Sequence, residues 1–220
     1  MSAATRIKLC GLTREADIDL AVALGVDMIG LVFAPRSPRR LELARGAALR
    51  ARIPATVRAV ALVMDATKDE VAAILDQVQP DWLQFHGEEP EAFCSAFARP
   101  YLKAVALGGV AAEAAGERLR AWPSAHAILL DGHAPGEAGG SGRSLAWNSL
   151  PALPGRRVLV AGGLNAGNVA QAIAQARPWG VDTSSGLESA PGIKDPERMR
   201  AFVTAVRQAD LALDRNAPPA

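Results

Sequence analysis

Short apolar segments alternate with longer amphipathic ones along almost the whole chain. Eight short runs are rich in Val, Ile, Leu and Ala: Ile7–Gly11, Met28–Phe33, Val57–Val63, Trp82–His86, Leu102–Leu107, Ala127–Asp131, Arg157–Gly163 and Gly180–Ser185. Several of them are nearly continuous in apolar residues, which is typical of parallel strands that are covered on both faces. The pattern therefore predicts a buried parallel sheet.

The segments between these runs carry helix signals. Thr67 and Glu70 have the spacing of a capping box, and an apolar stripe at helical spacing follows them: Val71, Ile74, Leu75 and Val78. Asp195 is a predicted N-cap before Pro196, and the same stripe recurs after it: Met199, Phe202, Val203 and Val206. A third predicted helix covers Glu15–Leu24, with Thr13 as its start signal and Gly25 as its stop signal.

Eight strand–helix units in this order predict a single-domain (β/α)8 TIM barrel. We expect the catalytic domain to span residues 1–210 and residues 211–220 to form a flexible tail, with a further low-order loop at Gly132–Ser144. A doubly wound open sheet is the alternative architecture. No Gly-x-Gly-x-x-Gly follows the first strand, which counts against a dinucleotide-binding version of that sheet.

Composition narrows the class of protein. The 220 residues carry 24 Lys and Arg against 23 Asp and Glu. The chain therefore lacks the overall positive charge that would predict a nucleic-acid partner. Two cysteines cannot build a disulfide framework, and no Cys or His spacing resembles a zinc site. No apolar run approaches the ~20 residues of a membrane span. A cytoplasmic protein without membrane or nucleic-acid partners is the expectation.

Polar residues collect at the predicted carboxyl ends of the strands, where barrel enzymes carry their active sites. The late strands end in donor-rich loops, which predict a phosphate site: Gly162, Gly163, Ser184, Ser185 and Gly186. Asn165 is expected to cap a helix whose N-terminus attracts the anion. For each loop alone, tight turns are an equally good explanation of the glycines.

Three further residues at or just past the predicted strand ends are candidates for chemical roles. Cys10 ends the first strand beside Lys8, which would favour the thiolate, whereas Cys94 is expected to be a packed core residue. Asp131 closes a strongly apolar strand, where desolvation would favour a protonated carboxyl group, although it could also cap the following loop. Arg39 could hold a planar carboxylate, or it could be a solvated surface arginine.

Eight short motifs follow one another along almost the whole chain: Lys8-Leu-Cys-Gly-Leu-Thr13, Ser37-Pro-Arg39, Gln84-Phe-His-Gly87, Leu130-Asp131, Gly139-Gly-Ser-Gly142, Ala161-Gly-Gly-Leu164, Val181-Asp-Thr-Ser-Ser-Gly-Leu-Glu188 and Pro191-Gly-Ile-Lys-Asp195. This ordered set resembles the phosphoribosylanthranilate isomerases of tryptophan biosynthesis. Gly132 departs from the pattern, since a hydroxyl residue often follows the acid there.

The resemblance implies an Amadori rearrangement of N-(5-phosphoribosyl)anthranilate without metal or organic cofactor. It assigns the role of general base to Cys10, the role of general acid to Asp131 and the binding of the anthranilate carboxylate to Arg39. The remaining strand-end residues are expected to bind the phosphorylated substrate: Lys8, Gln84, His86, Gly162, Gly163, Ser184, Ser185 and Gly186. We expect a monomer or a weak homodimer.

Three alternatives share the phosphate loops. An indole-glycerol-phosphate synthase would show more Lys and Glu residues at strand ends, and a histidine-pathway sugar isomerase would show a pair of Asp residues. Cys10 at the end of the first strand argues against both. A non-catalytic phosphate sensor would have no reason to place Cys10 and Asp131 at strand ends.

Overall fold

Eight parallel strands form a closed barrel in the computed structural model, which describes residues 4–107, 119–132, 147 and 155–215. The strands are β1 Arg6–Cys10, β2 Met28–Val32, β3 Arg58–Val63, β4 Trp82–Phe85, β5 Tyr101–Ala106, β6 Ala127–Asp131, β7 Val158–Val160 and β8 Gly180–Thr183. All eight predicted strands are present in the predicted order. The strand ends differ from the prediction by one or a few residues.

Pairing between the first and last strands closes the barrel. In β1, Lys8 pairs with Asp182 of β8 on one side and with Met28 of β2 on the other. An open doubly wound sheet would leave two unpaired edges. The predicted TIM barrel is therefore confirmed and the open sheet is excluded.

Alternation along each strand separates two apolar layers. One residue set fills the barrel interior: Met28, Val60, Leu102, Ala104, Ala127, Leu129, Leu159 and Ala161. The intervening residues, such as Ile7, Leu9 and Ile29, pack outward in the larger core that the helices cover. Four polar residues share the inward register: Lys8, Gln84, Asp131 and Asp182. Polar groups are thus carried into the barrel by the period-two geometry of its strands.

Six α-helices lie wholly within the described part of the chain: α1 Glu15–Ala23, α2 Leu43–Arg50, α3 Lys68–Gln77, α4 Glu91–Cys94, α5 Val169–Ala176 and α6 Pro196–Arg215. The capping box of α3 is confirmed, with the Glu70 amide donating to Thr67 Oγ1 at 3.2 Å. The Asp195 cap of α6 is also confirmed, because Asp195 Oδ1 accepts from the amides of Glu197 and Arg198.

Two predicted caps are wrong. Thr13 does not cap α1; its hydroxyl donates to the carbonyl of Gly192 at 2.7 Å and fastens a short hairpin to the barrel rim. The residue at the N-cap of α5 is Asn168, while Asn165 accepts from the Gly167 amide in the preceding turn. A tertiary hydrogen bond replaces the expected cap at Thr13, and a hydrogen bond within the local turn replaces it at Asn165.

The hairpin consists of β9 Glu188–Ala190 and β10 Ile193–Lys194, and it lies between β8 and α6. The expected tail at 211–220 begins inside α6, because residues 211–215 are helical and Leu213 packs against the core. Residues 216–220 and most of the loop Gly132–Ser144 lie outside the described residues. Within the described ranges, no helix has the length and apolarity needed to cross a membrane.

Candidate active site

A buried ion pair lies inside the barrel beneath its carboxyl-terminal opening. Lys8 Nζ is 2.8 Å from Asp182 Oδ1, and the Lys8 side chain is fully buried. Burial lowers the pKa of Lys8, but Asp182 and Cys10 together raise it by more than burial lowers it. The pKa of Lys8 therefore lies above its usual value. Burial raises the pKa of Asp182 and outweighs the opposing effect of Lys8. The two register partners therefore satisfy each other inside the barrel.

Cys10 lies on the same face of β1 as Lys8 and is 5% exposed. Burial raises the pKa of its thiol above the usual value; Lys8 and Lys194 oppose this rise, and Asp182 adds to it. Lys8 therefore favours the thiolate, as expected, but the net pKa of Cys10 is still raised. The reason is that Asp182 neutralises Lys8 while desolvation penalises the thiolate.

Gly30 makes room for the Cys10 side chain. It is the cross-strand neighbour of Cys10, and a Cβ atom at this position would lie 2.6 Å from Cys10 Sγ. We expect Gly30→Ala to lower the free energy of unfolding by about 1–3 kcal/mol, because overpacking displaces either the thiol or the strand. Urea unfolding of Gly30→Ala, Cys10→Ala and the double variant measures the coupling. If the cost of Gly30→Ala is unchanged in the Cys10→Ala background, the clash with Sγ is not its cause.

Removing the cation of the buried pair provides a pH-dependent test. We expect Lys8→Met to lose about 3–5 kcal/mol of stability near pH 7, because Asp182 then stays buried without a partner. Its pKa is already raised. The folded variant consequently binds more protons than the unfolded chain, and stability rises as the pH falls from 7 towards 5. Urea unfolding at several pH values measures both effects.

The control for this prediction is Lys8→Met combined with Asp182→Asn. It removes both charges and should regain most of the stability without the same pH dependence. A Lys8→Met loss that is equal at pH 5 and pH 7 would contradict the assignment.

Asp131 and His86 face each other across the barrel opening. His86 Nε2 lies 3.4 Å from Asp131 Oδ2, and the Asp131 side chain is 9% exposed. Gln84 Nε2 lies 3.1 Å from His86 Nδ1, while Gln84 Oε1 is buried without a hydrogen-bond partner among the described residues. Asp131 also raises the pKa of Asp182, whereas His86 lowers it. The acid, the imidazole and the buried pair therefore form one electrostatic group.

Arg39 is held by a carboxylate of the protein itself. Its Nε and Nη2 atoms contact the two Glu188 oxygens at 2.7 and 2.6 Å, which is a bidentate geometry. Lys194 Nζ contacts Glu188 Oε1 at 2.7 Å from the other side. The Arg39 side chain is 12% exposed. It is therefore a fixed and mostly buried guanidinium, and the solvated-surface alternative is wrong.

The late loops combine tight turns with a cavity. Gly162 and Gly163 have φ values of +87° and +66°, and a Cβ on Gly162 would lie 2.6 Å from the Gly132 amide nitrogen. Ser184 Oγ donates to the Cys10 carbonyl at 3.0 Å. A neighbouring cavity of about 440 Å³ has a mixed polar and apolar lining, which sequence reasoning found only in part: Asn165, Ala166, Gly167, Ser185, Gly186, Arg198 and Ala201.

Comparison with known proteins decides the family. A sequence model of the N-(5'-phosphoribosyl)anthranilate isomerases matches residues 7–205. An isomerase of this name from Xanthomonas oryzae pv. oryzae is 50% identical over 210 residues, which are 94% of this chain and 95% of that protein. This chain belongs to the phosphoribosylanthranilate isomerase family.

Solved structures of the family have the same fold. The enzyme from Thermus thermophilus superposes with a TM-score of 0.80 at 35% identity, covering 93% of this chain and 99% of that one. A second phosphoribosylanthranilate isomerase, solved with reduced 1-(o-carboxyphenylamino)-1-deoxyribulose 5-phosphate, superposes with a TM-score of 0.79 at 29% identity, with the same coverage. The resemblance in the sequence motifs is thereby confirmed.

Sequence reasoning missed the partners of several residues in this isomerase fold. Asp182, Glu188, Lys194 and Arg198 were assigned no role, although each of them contacts or lines the site. The inward register of Asp182 was a usable signal, because period two places it on the face of Ser184. Nothing in the spacing of Glu188 and Lys194 indicates their contacts, since the hairpin geometry creates them.

Cys94 is a core residue, as predicted. It is fully buried in the outer apolar layer, and burial raises the pKa of its thiol to about 12. Among the residues that the structure describes, no three His, Cys, Asp or Glu side chains cluster as they would around a metal ion.

Proposed function

We propose that this chain converts N-(5-phosphoribosyl)anthranilate to 1-(2-carboxyphenylamino)-1-deoxyribulose 5-phosphate in tryptophan biosynthesis. One observation supports it above the others. A thiol, Cys10, and a carboxylic acid, Asp131, end strands β1 and β6 of one barrel, and both are nearly buried at its carboxyl-terminal opening. Strands β8 and β7 separate β1 from β6 around the barrel. An acid and a base can therefore approach one substrate from different sides.

The first proton transfer belongs to Asp131 in this proposal. Its carboxyl group protonates the ring oxygen of the furanose, the bond between that oxygen and C1′ breaks, and the nitrogen lone pair forms the Schiff base. His86, at 3.4 Å from Asp131 Oδ2, orients the carboxyl group and exchanges protons with it. Asp131 leaves this step as a carboxylate.

The second proton transfer belongs to Cys10. Its thiolate removes the proton on C2′, and the electron pair of that bond neutralises the iminium nitrogen to give an enolamine. The enolamine then gains a proton at C1′ and loses the proton on O2′. These two transfers return Cys10 and Asp131 to their starting protonation states, so the reaction is a balanced isomerisation.

Substrate binding is assigned to the groups around this pair. Arg39 presents the part of its guanidinium that Glu188 does not occupy to the anthranilate carboxylate. The unpaired Gln84 Oε1 suits a substrate hydroxyl, with His86 beside it. Lys8, in its ion pair with Asp182, forms the bottom of the substrate site.

The phosphate is assigned to the late loops, where Ser185, Gly186 and Arg198 line a cavity of about 440 Å³. The left-handed turn at Gly162 and Gly163 completes the predicted anion site, whereas the Ser184 hydroxyl donates its one hydrogen to the Cys10 carbonyl instead.

The decisive experiment adds the purified protein to freshly prepared phosphoribosylanthranilate and follows the loss of anthranilate-type fluorescence. We expect first-order loss proportional to protein concentration. A rate equal to the spontaneous decay would contradict the proposal. A phosphate sensor is separated in the same experiment, because it would bind product without accelerating the loss.

The proposal also covers the cellular location and the oligomeric state of the protein. A small-molecule biosynthetic isomerase of this kind acts in the cytoplasm as a monomer or weak homodimer, without nucleic-acid or membrane partners. Size-exclusion chromatography with light scattering, carried out over a range of protein concentrations, measures the assembly. A stable larger oligomer would contradict this part.

A further inference from the structure

Lys194 is a fully buried lysine on the hairpin beside the proposed base. Its Nζ atom contacts three acceptors: the Ser184 carbonyl at 3.0 Å, Ser184 Oγ at 3.3 Å and Glu188 Oε1 at 2.7 Å. Three acceptors suit an ammonium group, which has three N–H bonds. The side chain is 0% exposed, so the protein has placed this charge in its interior.

The contacts of Lys194 lead directly to Cys10. Ser184 Oγ accepts from Lys194 and donates to the Cys10 carbonyl at 3.0 Å. The ammonium is therefore two hydrogen bonds from the backbone of the proposed base. No other hairpin residue has such a connection among the described contacts.

Charged groups on several neighbouring elements act on Cys10 or lie at the same end of the barrel, and most of them are paired. Lys8 of β1 is paired with Asp182 of β8. Arg39, which follows β2, is paired with Glu188 of β9. Asp131 and His86, at the ends of β6 and β4, face each other. Lys194 shares Glu188 with Arg39, so two cations meet one carboxylate. Among these described groups, the cations on the hairpin side of Cys10 outnumber the carboxylates by one.

We propose that Lys194 is a positioning residue whose positive charge holds Cys10 ready to act as the base. This inference rests on the proposed function and names a residue that its mechanism did not use. The direction of the electrostatic effect agrees, because Lys194 lowers the pKa of Cys10 against the desolvation that raises it. Lys8 also lowers the pKa of Cys10, but Asp182, which lies 2.8 Å from Lys8, raises it and offsets that effect.

The test measures the reactivity of Cys10 directly, without substrate. In a Cys94→Ala background, Cys10 is the sole thiol. The second-order rate of its alkylation by iodoacetamide is measured over a range of pH, and the inflection reports thiolate formation. A change in access to the thiol would alter the rate equally at every pH and leave the inflection in place.

Three variants separate charge from packing. Lys194→Gln keeps hydrogen-bond donors but loses the charge, and we expect its inflection to rise by about one pH unit, with about tenfold less thiolate below it. Lys194→Arg keeps the charge and should stay near the parent. Lys68→Gln makes the same change at an exposed position at the start of α3 and should have no effect. An unchanged inflection in Lys194→Gln would overturn the proposal.

Glu188→Gln predicts the opposite sign. It removes the carboxylate that Lys194 and Arg39 share, so the positive charge beside Cys10 grows and the inflection should fall. A rise in Glu188→Gln would overturn the proposal, and this variant decides the question even if Lys194→Gln does not fold. Shifted inflections in a protein that fails to accelerate substrate loss would refute the isomerase function alone. Full turnover with unshifted inflections would refute only the role of Lys194.

Discussion

Cys10→Ala is expected to lower kcat by about 10²–10⁴-fold while KM changes little, because a general base acts on the barrier rather than on the bound ground state. Alanine removes only the sulfur, and Gly30 already leaves space beside it, so the strand pairing should survive. Steady-state kinetics with freshly prepared phosphoribosylanthranilate measure both constants.

The chain contains a matched control for this substitution. Cys94→Ala removes a second buried thiol that lies in the outer apolar layer, away from the barrel interior. It should lower stability through a lost packing contact and leave kcat near the parent value. Near-native turnover in Cys10→Ala would refute the base assignment, as would an equal loss in both variants.

Asp131→Asn is expected to abolish measurable turnover at every accessible pH. The amide has nearly the shape of the carboxyl group but cannot deliver the proton that opens the ring. The inward position in β6 and the contact with His86 keep the side chain in place. Turnover at several pH values and the binding of a product analogue, measured separately, show whether chemistry rather than affinity is lost.

The control makes the same chemical change on the outer surface. Asp76→Asn alters an exposed carboxylate of α3 and should leave turnover unchanged. A pH-dependent rate that survives in Asp131→Asn and disappears in Asp131→Asn with His86→Gln would identify His86 as the donor. A rate that survives both changes would show that ring opening needs neither group.

The order of apolar segments was sufficient to predict the barrel, and particular residues show where this reasoning stops. The capping signals at Thr67 and Asp195 are local, so they were read correctly. Thr13 carries the same kind of signal, yet its hydroxyl bonds to Gly192, which is 179 residues away. Local propensity cannot reveal that a better partner arrives through the tertiary fold.

The candidate site likewise has residues that the sequence predicts and contacts that the sequence does not predict. The motifs located Cys10, Asp131 and Arg39 because they end or follow strands, and the carboxyl ends of the strands meet at one rim of a barrel. The motifs could not show that burial would outweigh Lys8 at the Cys10 thiol, because Asp182 and the dry surroundings decide that balance. They also gave no sign that Glu188 would occupy two donors of Arg39.

The sequence by itself determined the strand order, the inward register of each polar residue and the end of the barrel at which the chemistry lies. These properties follow from the period of two along each strand and from the order of the strands. The tertiary structure alone decided which charges neutralise one another. Lys8 meets Asp182 across 174 residues, and Lys194 meets Ser184 next to Cys10, because barrel closure brings the first and last strands together. Charge balance depends on distance and burial, which no spacing along the chain encodes.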